Sequence, residues 1–180
     1  MKNRYYLLSA LILMFDHLTK WLVRTRLDPR TPIELVPSYL RFTHVENTGV
    51  AFGFFADFHA PWKPYVLAAM AVLAVIVILI YSARMPSTRT LLQLALAVTA
   101  GGILGNFTDR IIHGFVTDFI EFHVKEVFHW PTFNIADSAI TIGIALLLID
   151  TVKNPEPAEE LEESVTKPKQ EAADKIREGV

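Results

Sequence analysis

The sequence of 180 residues contains no cysteine, which excludes disulfide bonds, a catalytic thiol and cysteine-ligated metals. Two protease patterns are also missing. The six histidines form no H-E-x-x-H sequence and the chain has no G-x-S-x-G sequence, which argues against a zinc protease and against an α/β-hydrolase. No glycine-rich phosphate loop opens a helix. We therefore expect no metal and no cofactor, and the net charge of −2 gives no sign of a nucleic-acid partner.

Charged residues are absent from one long apolar segment, Tyr65 to Ala83, which is long enough to cross a bilayer. Three more apolar segments follow the same pattern less cleanly, at residues 5–23, 91–107 and 133–149. The hydrophobic content of 52% and the mean hydropathy of +0.33 agree with a membrane protein. The sequence therefore predicts an all-α polytopic membrane protein with four transmembrane helices.

The first apolar segment also resembles a secretory signal peptide, because Lys2 and Arg4 precede it. The residues that follow it, DHLTKW, contain no small-x-small cleavage site. We therefore expect a retained first helix. Four spans place both termini on one side, and the basic residues at the first span and in the 84–90 loop favour the cytoplasmic side for them.

The polar connections between the spans differ in character from the end of the chain. Residues 36–58 are rich in aromatic and β-branched residues and predict a small extracytoplasmic β element, broken near Asn47. Residues 1–152 thus form a predicted membrane domain. Residues 153–180 are rich in Glu, Lys and Pro and predict a disordered cytoplasmic tail.

Asp137 is the most informative residue, because it lies about one turn inside the predicted span 133–149. A charge at membrane depth costs about 2.5–3.5 kcal/mol and therefore indicates function. Asp118 lies in the preceding connection on the same predicted side. Two neighbouring carboxylates in a low-dielectric site share a proton, which is the arrangement of an aspartic protease. The structural alternative is that Asp137 pairs with Arg110 or caps its helix while Asp118 is an exposed loop acid.

Further polar residues lie near the predicted membrane edges. Asn106 and Arg110 are spaced i,i+4 and would share a helix face, as would Asp16 and Lys20, for which an ion pair is the simpler reading. Three further candidates remain. Asn47 lies in a predicted turn, Asp109 lies in the 105–110 segment, and Asn134 lies about one turn before Asp137.

Taken in order, five motifs resemble the bacterial lipoprotein signal peptidases, or signal peptidase II. They are D-H-L-T-K at 16–20, N-T-G-V-A-F at 47–52, G-N-F-T-D-R at 105–110, V-T-D-F at 116–119 and F-N-I-A-D-S-A-I at 133–140. The resemblance implies an intramembrane aspartic endopeptidase of the bacterial inner membrane, with its active site near the outer face. Its substrates would be diacylglyceryl-modified prolipoproteins. Membrane lipid would surround it, and globomycin would inhibit it.

The family's functional positions fall on residues of this chain. The resemblance implies that Asp118 and Asp137 are catalytic, and that substrate-binding or supporting roles belong to Asn47, Asn106, Arg110, Asn134, Asp16, Lys20 and Asp109. Two other classes of function stay open. A small proton-coupled transporter would use the same aspartates as titrating groups, and a membrane scaffold would need neither of them.

Overall fold

The computed structural model describes residues 2–49 and 62–155. Four long helices account for most of them: α1 (Asn3–Arg26), α2 (Lys63–Arg84), α3 (Thr90–His113) and α4 (Ile135–Lys153). All four are long and apolar enough to cross a membrane. This confirms the predicted fold class. The chain divides into two units at residue 147, and the fold and site described below lie in the first of them.

The helix α3 is the most buried of the four, since both α1 and α2 pack on it. Small residues allow this close approach. A Cβ atom added to Gly102 would collide with the backbone carbonyl of Ala136 on α4, and one added to Gly105 would lie 2.5 Å from the Asp16 carboxylate on α1. Glycine at these positions therefore lets three helices meet at one level, as small residues do in lipid.

A four-stranded antiparallel sheet completes the first unit. Its strands are β1 (Ile33–Val36), β2 (Leu40–Asn47), β3 (Val116–Val124) and β4 (Phe128–His129), in the order β1-β2-β3-β4. The sheet differs from the predicted β element, because half of its strands come from the connection between α3 and α4. β2 ends at Asn47, as the predicted break requires, and residues 50–58 of the predicted β element lie outside the described residues.

Three candidate site residues that follow the apolar segment 91–107 lie on regular elements. Asp109 and Arg110 belong to the last turns of α3, which continues to His113 and ends at Gly114 with a φ of 80°. Basic residues in the last turn interact favourably with the helix dipole, so the helix continues beyond its apolar segment. Asp118 is not a loop residue but a buried residue of β3. Backbone pairing with β2 fixes its position.

The four helices do not begin and end where the apolar segments do. α4 starts at Ile135, so Asp137 lies within its first turn and not one turn inside it. The predicted boundary at residue 152 falls within α4, and residues 156–180 of the predicted tail lie outside the described residues.

Candidate active site

Asn134 joins the two aspartates. Its side-chain amide donates a 2.6 Å hydrogen bond to Asp118 Oδ1. Its Oδ1 accepts from the backbone N–H of Asp137 at 2.9 Å, while Asp137 Oδ2 accepts from the backbone N–H of Asn134 at 3.2 Å. This reciprocal pair is a capping box at the start of α4. Asp137 thus caps α4, as the structural alternative expected. It also contacts Asn134, the residue that binds Asp118.

Asn106 on α3 holds the other side of Asp137. Its amide group donates a 2.7 Å hydrogen bond to Asp137 Oδ1. Its Oδ1 accepts from Asn134 Nδ2 at 3.2 Å and from Lys20 Nζ at 2.9 Å. Because an amide has both a donor and an acceptor side, Lys20 fixes which of them faces the aspartate.

Asn47, at the end of β2, holds Asp118 from the opposite side. Its amide group donates to Asp118 Oδ2 at 2.9 Å, and its Oδ1 accepts from the backbone N–H of Gly49 at 2.8 Å. Arg110 then donates a 2.8 Å hydrogen bond to the Gly49 carbonyl. The structure therefore places Arg110 on the backbone that follows Asn47, and the ion pair between Arg110 and Asp137 considered as an alternative is not formed.

A buried ionic network supports these residues from behind. Lys20 lies 2.8 Å from Asp16 Oδ2 and 3.3 Å from Asp109 Oδ2, and all three side chains are fully buried. Asp16 accepts a hydrogen bond from the backbone N–H of Ala136 at 2.9 Å, which ties α1 to the first turn of α4. The ion pair expected for Asp16 and Lys20 is present, and it extends to Asp109.

Two members of this network were not predicted from the sequence as site residues. Arg24 donates to Asp109 Oδ1 at 3.2 Å and to the Thr117 hydroxyl at 2.8 Å. The backbone N–H of Thr117 donates to Asp109 Oδ2 at 3.0 Å. Asp109 thereby fixes the residue just before Asp118. The spacing of Arg24, one turn after Lys20, was the one available signal.

The two aspartates have different surroundings. Asp118 is 2% exposed, whereas Asp137 is half-buried at the helix start. Burial, and next the neighbouring Asp137 carboxylate, raise the pKa of Asp118 from 3.8 to about 7, against the hydrogen bonds from Asn47 and Asn134. Below about pH 7, Asp118 is therefore mostly protonated, whereas an ordinary aspartate is ionised at such pH values.

This raised pKa predicts a pH dependence of stability. Between pH 4 and 7, folded Asp118 binds more protons than unfolded Asp118, so its contribution makes the protein less stable as pH rises. The effect is on the order of 4 kcal/mol across that range. We expect the thermal midpoint of the wild type, relative to that of Asp118→Asn, to decrease as the pH rises from 4 to 7. A difference in midpoints that does not change with pH would contradict the raised pKa.

Both aspartates line one cleft of about 700 Å³. Asn47, Asn106 and Arg110 also reach it, and its remaining wall is largely apolar, from α2 and α4: Leu67, Met70, Ile140 and Ile144. A polar group of two carboxylates at one end of an apolar cleft suits a reaction on a bond within an extended, mostly apolar ligand.

The chain matches known proteins over most of its length. The family model described as "Signal peptidase (SPase) II" matches residues 8–153. A lipoprotein signal peptidase of Alteromonas mediterranea is 41% identical over 151 residues, covering 84% of this chain and 81% of the relative. One of Ectopseudomonas mendocina is 41% identical over 156 residues, covering 87% of this chain and 92% of the relative.

Two solved structures have the same fold. Both are described as a bacterial membrane enzyme studied by the in meso method, at 2.3 Å and 1.9 Å resolution. Each is 28% identical and covers 84% of this chain, with TM-scores of 0.75 and 0.73 and with 89% and 94% of the solved chain covered. With four membrane-spanning helices, a family model over nearly the whole described chain and relatives above 40% identity, this chain belongs to the signal peptidase II family of aspartic-type peptidases.

Proposed function

We propose that this protein removes the signal peptide from diacylglyceryl-modified prolipoproteins, and that Asp118 and Asp137 perform the cleavage. The observation that carries the proposal is the shared partner Asn134, which binds both aspartates at the polar end of the apolar cleft. The names of the relatives support the substrate class, since they are lipoprotein signal peptidases.

The two aspartates take different roles in the proposed mechanism. Asp137 is the base, because it lies in the first turn of α4, where the helix dipole interacts favourably with a negative charge. Asp118 is the protonated acid, because its pKa is about 7. Asp137 removes a proton from a water molecule as the water oxygen bonds to the scissile carbonyl carbon. Asp118 then donates its proton to the leaving amide nitrogen as the C–N bond breaks. The pair keeps one proton, now on Asp137, and its return to Asp118 restores the starting state.

The cleft explains how a membrane-bound substrate would reach this pair. Asp137 lies in the first turn of α4 and Arg110 near the end of α3, so both lie where helix meets connection. With both termini in the cytoplasm, these ends face the outer side of the inner membrane. A diacylglyceryl anchor in the lipid then holds the scissile bond at the level of the carboxylates. The apolar wall of the cleft receives the signal peptide.

The direct test is cleavage of a prolipoprotein by the purified protein. We expect cleavage of the diacylglyceryl-modified precursor immediately before the lipid-bearing cysteine, and inhibition by globomycin. The same precursor without the lipid is the matched control, and it should remain uncut. Failure to cut the lipidated form, together with pH-driven solute flux in proteoliposomes, would replace the proposal with a proton-coupled transporter.

The pH profile of cleavage should follow the proton on Asp118. Above about pH 7 Asp118 is ionised and can no longer act as the acid, so we expect kcat/KM to fall about tenfold for each further pH unit. Asn47 stabilises the ionised form of Asp118 through its hydrogen bond. Asn47→Leu should therefore move the alkaline limb to higher pH, whatever its effect on the maximum rate. An unchanged limb, or one moved to lower pH, would contradict the assignment of Asp118 as the acid.

A further inference from the structure

A second cluster of charged side chains lies on the sheet, away from the aspartate pair. Glu34, Arg41 and Glu121 are register partners on three neighbouring strands, so their side chains lie on one face. His123 is two residues beyond Glu121 on the same face of β3. Glu126 follows in the turn between β3 and β4, with a φ of 57°. One potential metal-ligand atom from each of three residues, Glu34, His123 and Glu126, lies within 4.8 Å of the other two.

The imidazole of His123 is the unusual member of this cluster. The residue is 2% exposed, yet neither ring nitrogen makes a hydrogen bond in the part of the chain that the structure describes. A buried polar group without a hydrogen bond costs about 1–3 kcal/mol, so such groups call for a physical explanation. The nearest acceptors are Glu34 Oε2, 3.4 Å from Nε2, and Glu126 Oε1, 3.2 Å from Nδ1.

A metal ion binds one ring nitrogen, so only one of these two contacts can lie within its coordination sphere. The 3.4 Å between His123 Nε2 and Glu34 Oε2 matches the separation of two ligand atoms on a tetrahedral metal ion. Zinc binds histidine nitrogen and carboxylate oxygen at about 2.0–2.2 Å, so two such ligand atoms lie roughly 3.4 Å apart. The local charge has the right sign as well. Three glutamates, Glu34, Glu121 and Glu126, and one arginine, Arg41, carry a net charge of −2 before the histidines are counted. A divalent cation would balance that charge.

We propose that Glu34, His123 and Glu126 bind a divalent transition metal, with Zn²⁺ as the expected ion and water completing its coordination. The metal would join β1, β3 and the turn after β3. It is separate from the cleavage site, because residues 118 and 123 on one strand point to opposite faces and lie about 17 Å apart along it. Its role is to fix the sheet. The proposal departs from the expectation of no metal, which the sequence favoured because Glu34 is distant in the sequence and no zinc motif joins the three residues.

Two neighbours bear on the binding. Arg41 donates a 2.9 Å hydrogen bond to Glu126 Oε1 and lies 3.8 Å from Glu34, so it shares these carboxylates with the metal and sets an upper limit to the affinity. The Nδ1–H of His129 donates a 2.7 Å hydrogen bond to Glu121 Oε1, and its Nε2 lies 3.6 Å from Glu126 Oε2. His129 is thus oriented toward the Glu126 carboxylate without being one of the proposed ligands.

The test uses tag-free full-length protein, freed of metal with a chelator and titrated with Zn²⁺ at neutral pH. We expect one Zn²⁺ per chain and a rise of the thermal midpoint with Zn²⁺ concentration, as binding to the folded state requires. His123→Gln should weaken binding at least tenfold. Glu34→Gln/Glu126→Gln, which alters only partly exposed side chains, should do the same and guards against a folding defect in the histidine variant.

Matched controls separate this site from others. His113→Gln removes an exposed histidine at the end of α3 and should bind Zn²⁺ like the wild type. Asp118→Asn should also bind normally, because the proposed site does not include the cleft. No saturable Zn²⁺ binding, equal binding in the double glutamate variant, or loss of binding in Asp118→Asn would each overturn the proposal.

Discussion

Replacing either Asp118 or Asp137 with asparagine is expected to reduce cleavage of a lipidated precursor by about 10²–10⁴-fold, the range that general acid–base groups contribute. Each change keeps the size of the side chain and removes its ability to exchange a proton. Asp118→Asn removes the proposed acid and Asp137→Asn removes the proposed base, so the two losses should be similar. Single-turnover cleavage by purified protein in detergent measures them directly.

A matched control separates chemistry from folding. Asp28→Asn makes the same substitution at an exposed turn residue and should leave the rate within about twofold, because surface substitutions away from special features have small effects. The double variant Asp118→Asn/Asp137→Asn should be little slower than either single variant, since residues that act as a unit are not additive. A folded single variant with near-normal turnover would rule out the proposed pair.

The second large effect is expected at Lys20. Its ammonium group lies fully buried between Asp16 and Asp109 and also donates to Asn106. Lys20→Met removes the positive charge that lies between the two buried carboxylates. Removal of one partner from a buried ion pair destabilises a protein by about 3–5 kcal/mol. We expect a marked fall in the thermal midpoint and, in the folded fraction, a lower kcat, because Asn106 loses the contact that orients it toward Asp137.

A compensating change sharpens this test. Asp16→Asn/Lys20→Met removes one of the uncompensated carboxylates, while Arg24 still pairs with Asp109, so the double variant should be more stable than Lys20→Met alone. Lys153→Met, at an exposed position in the last turn of α4, is the control. A thermal midpoint of Lys20→Met equal to that of the control would show that the network contributes no stability.

Much of the helical fold can be predicted from the apolar segments of the sequence. An apolar segment such as Tyr65 to Ala83 has few stable alternatives to a membrane helix. The ends are harder to predict, because capping contacts and the helix dipole decide them. α3 continues through Asp109 and Arg110 for this reason, and α4 begins at Ile135 because Asn134 and Asp137 cap each other.

The sheet was harder to predict than the helices, because its strands pair across distant parts of the chain. β3 is paired with β2, 71 residues away at the contact of Asn47 with Asp118. Nothing local in V-T-D-F-I-E-F-H-V identifies that partner. The aspartate pair was inferred from the free-energy cost of placing a charge at membrane depth, because a charge kept there indicates a function. Its connection through Asn134 and the support of Asp109 by Arg24 and Thr117 depend on tertiary contacts that spacing alone does not show.

Infrared difference spectroscopy of protonated carboxyl groups during a pH titration follows the proton of the aspartate pair directly. We expect one carboxyl group that loses its proton with an apparent pKa of about 7 in the wild type. This signal should disappear in Asp118→Asn and move to lower pH in Asp137→Asn, where the neighbouring negative charge is gone. A wild type in which no carboxyl group titrates near neutral pH, or an Asp118→Asn variant that keeps the signal, would contradict the account.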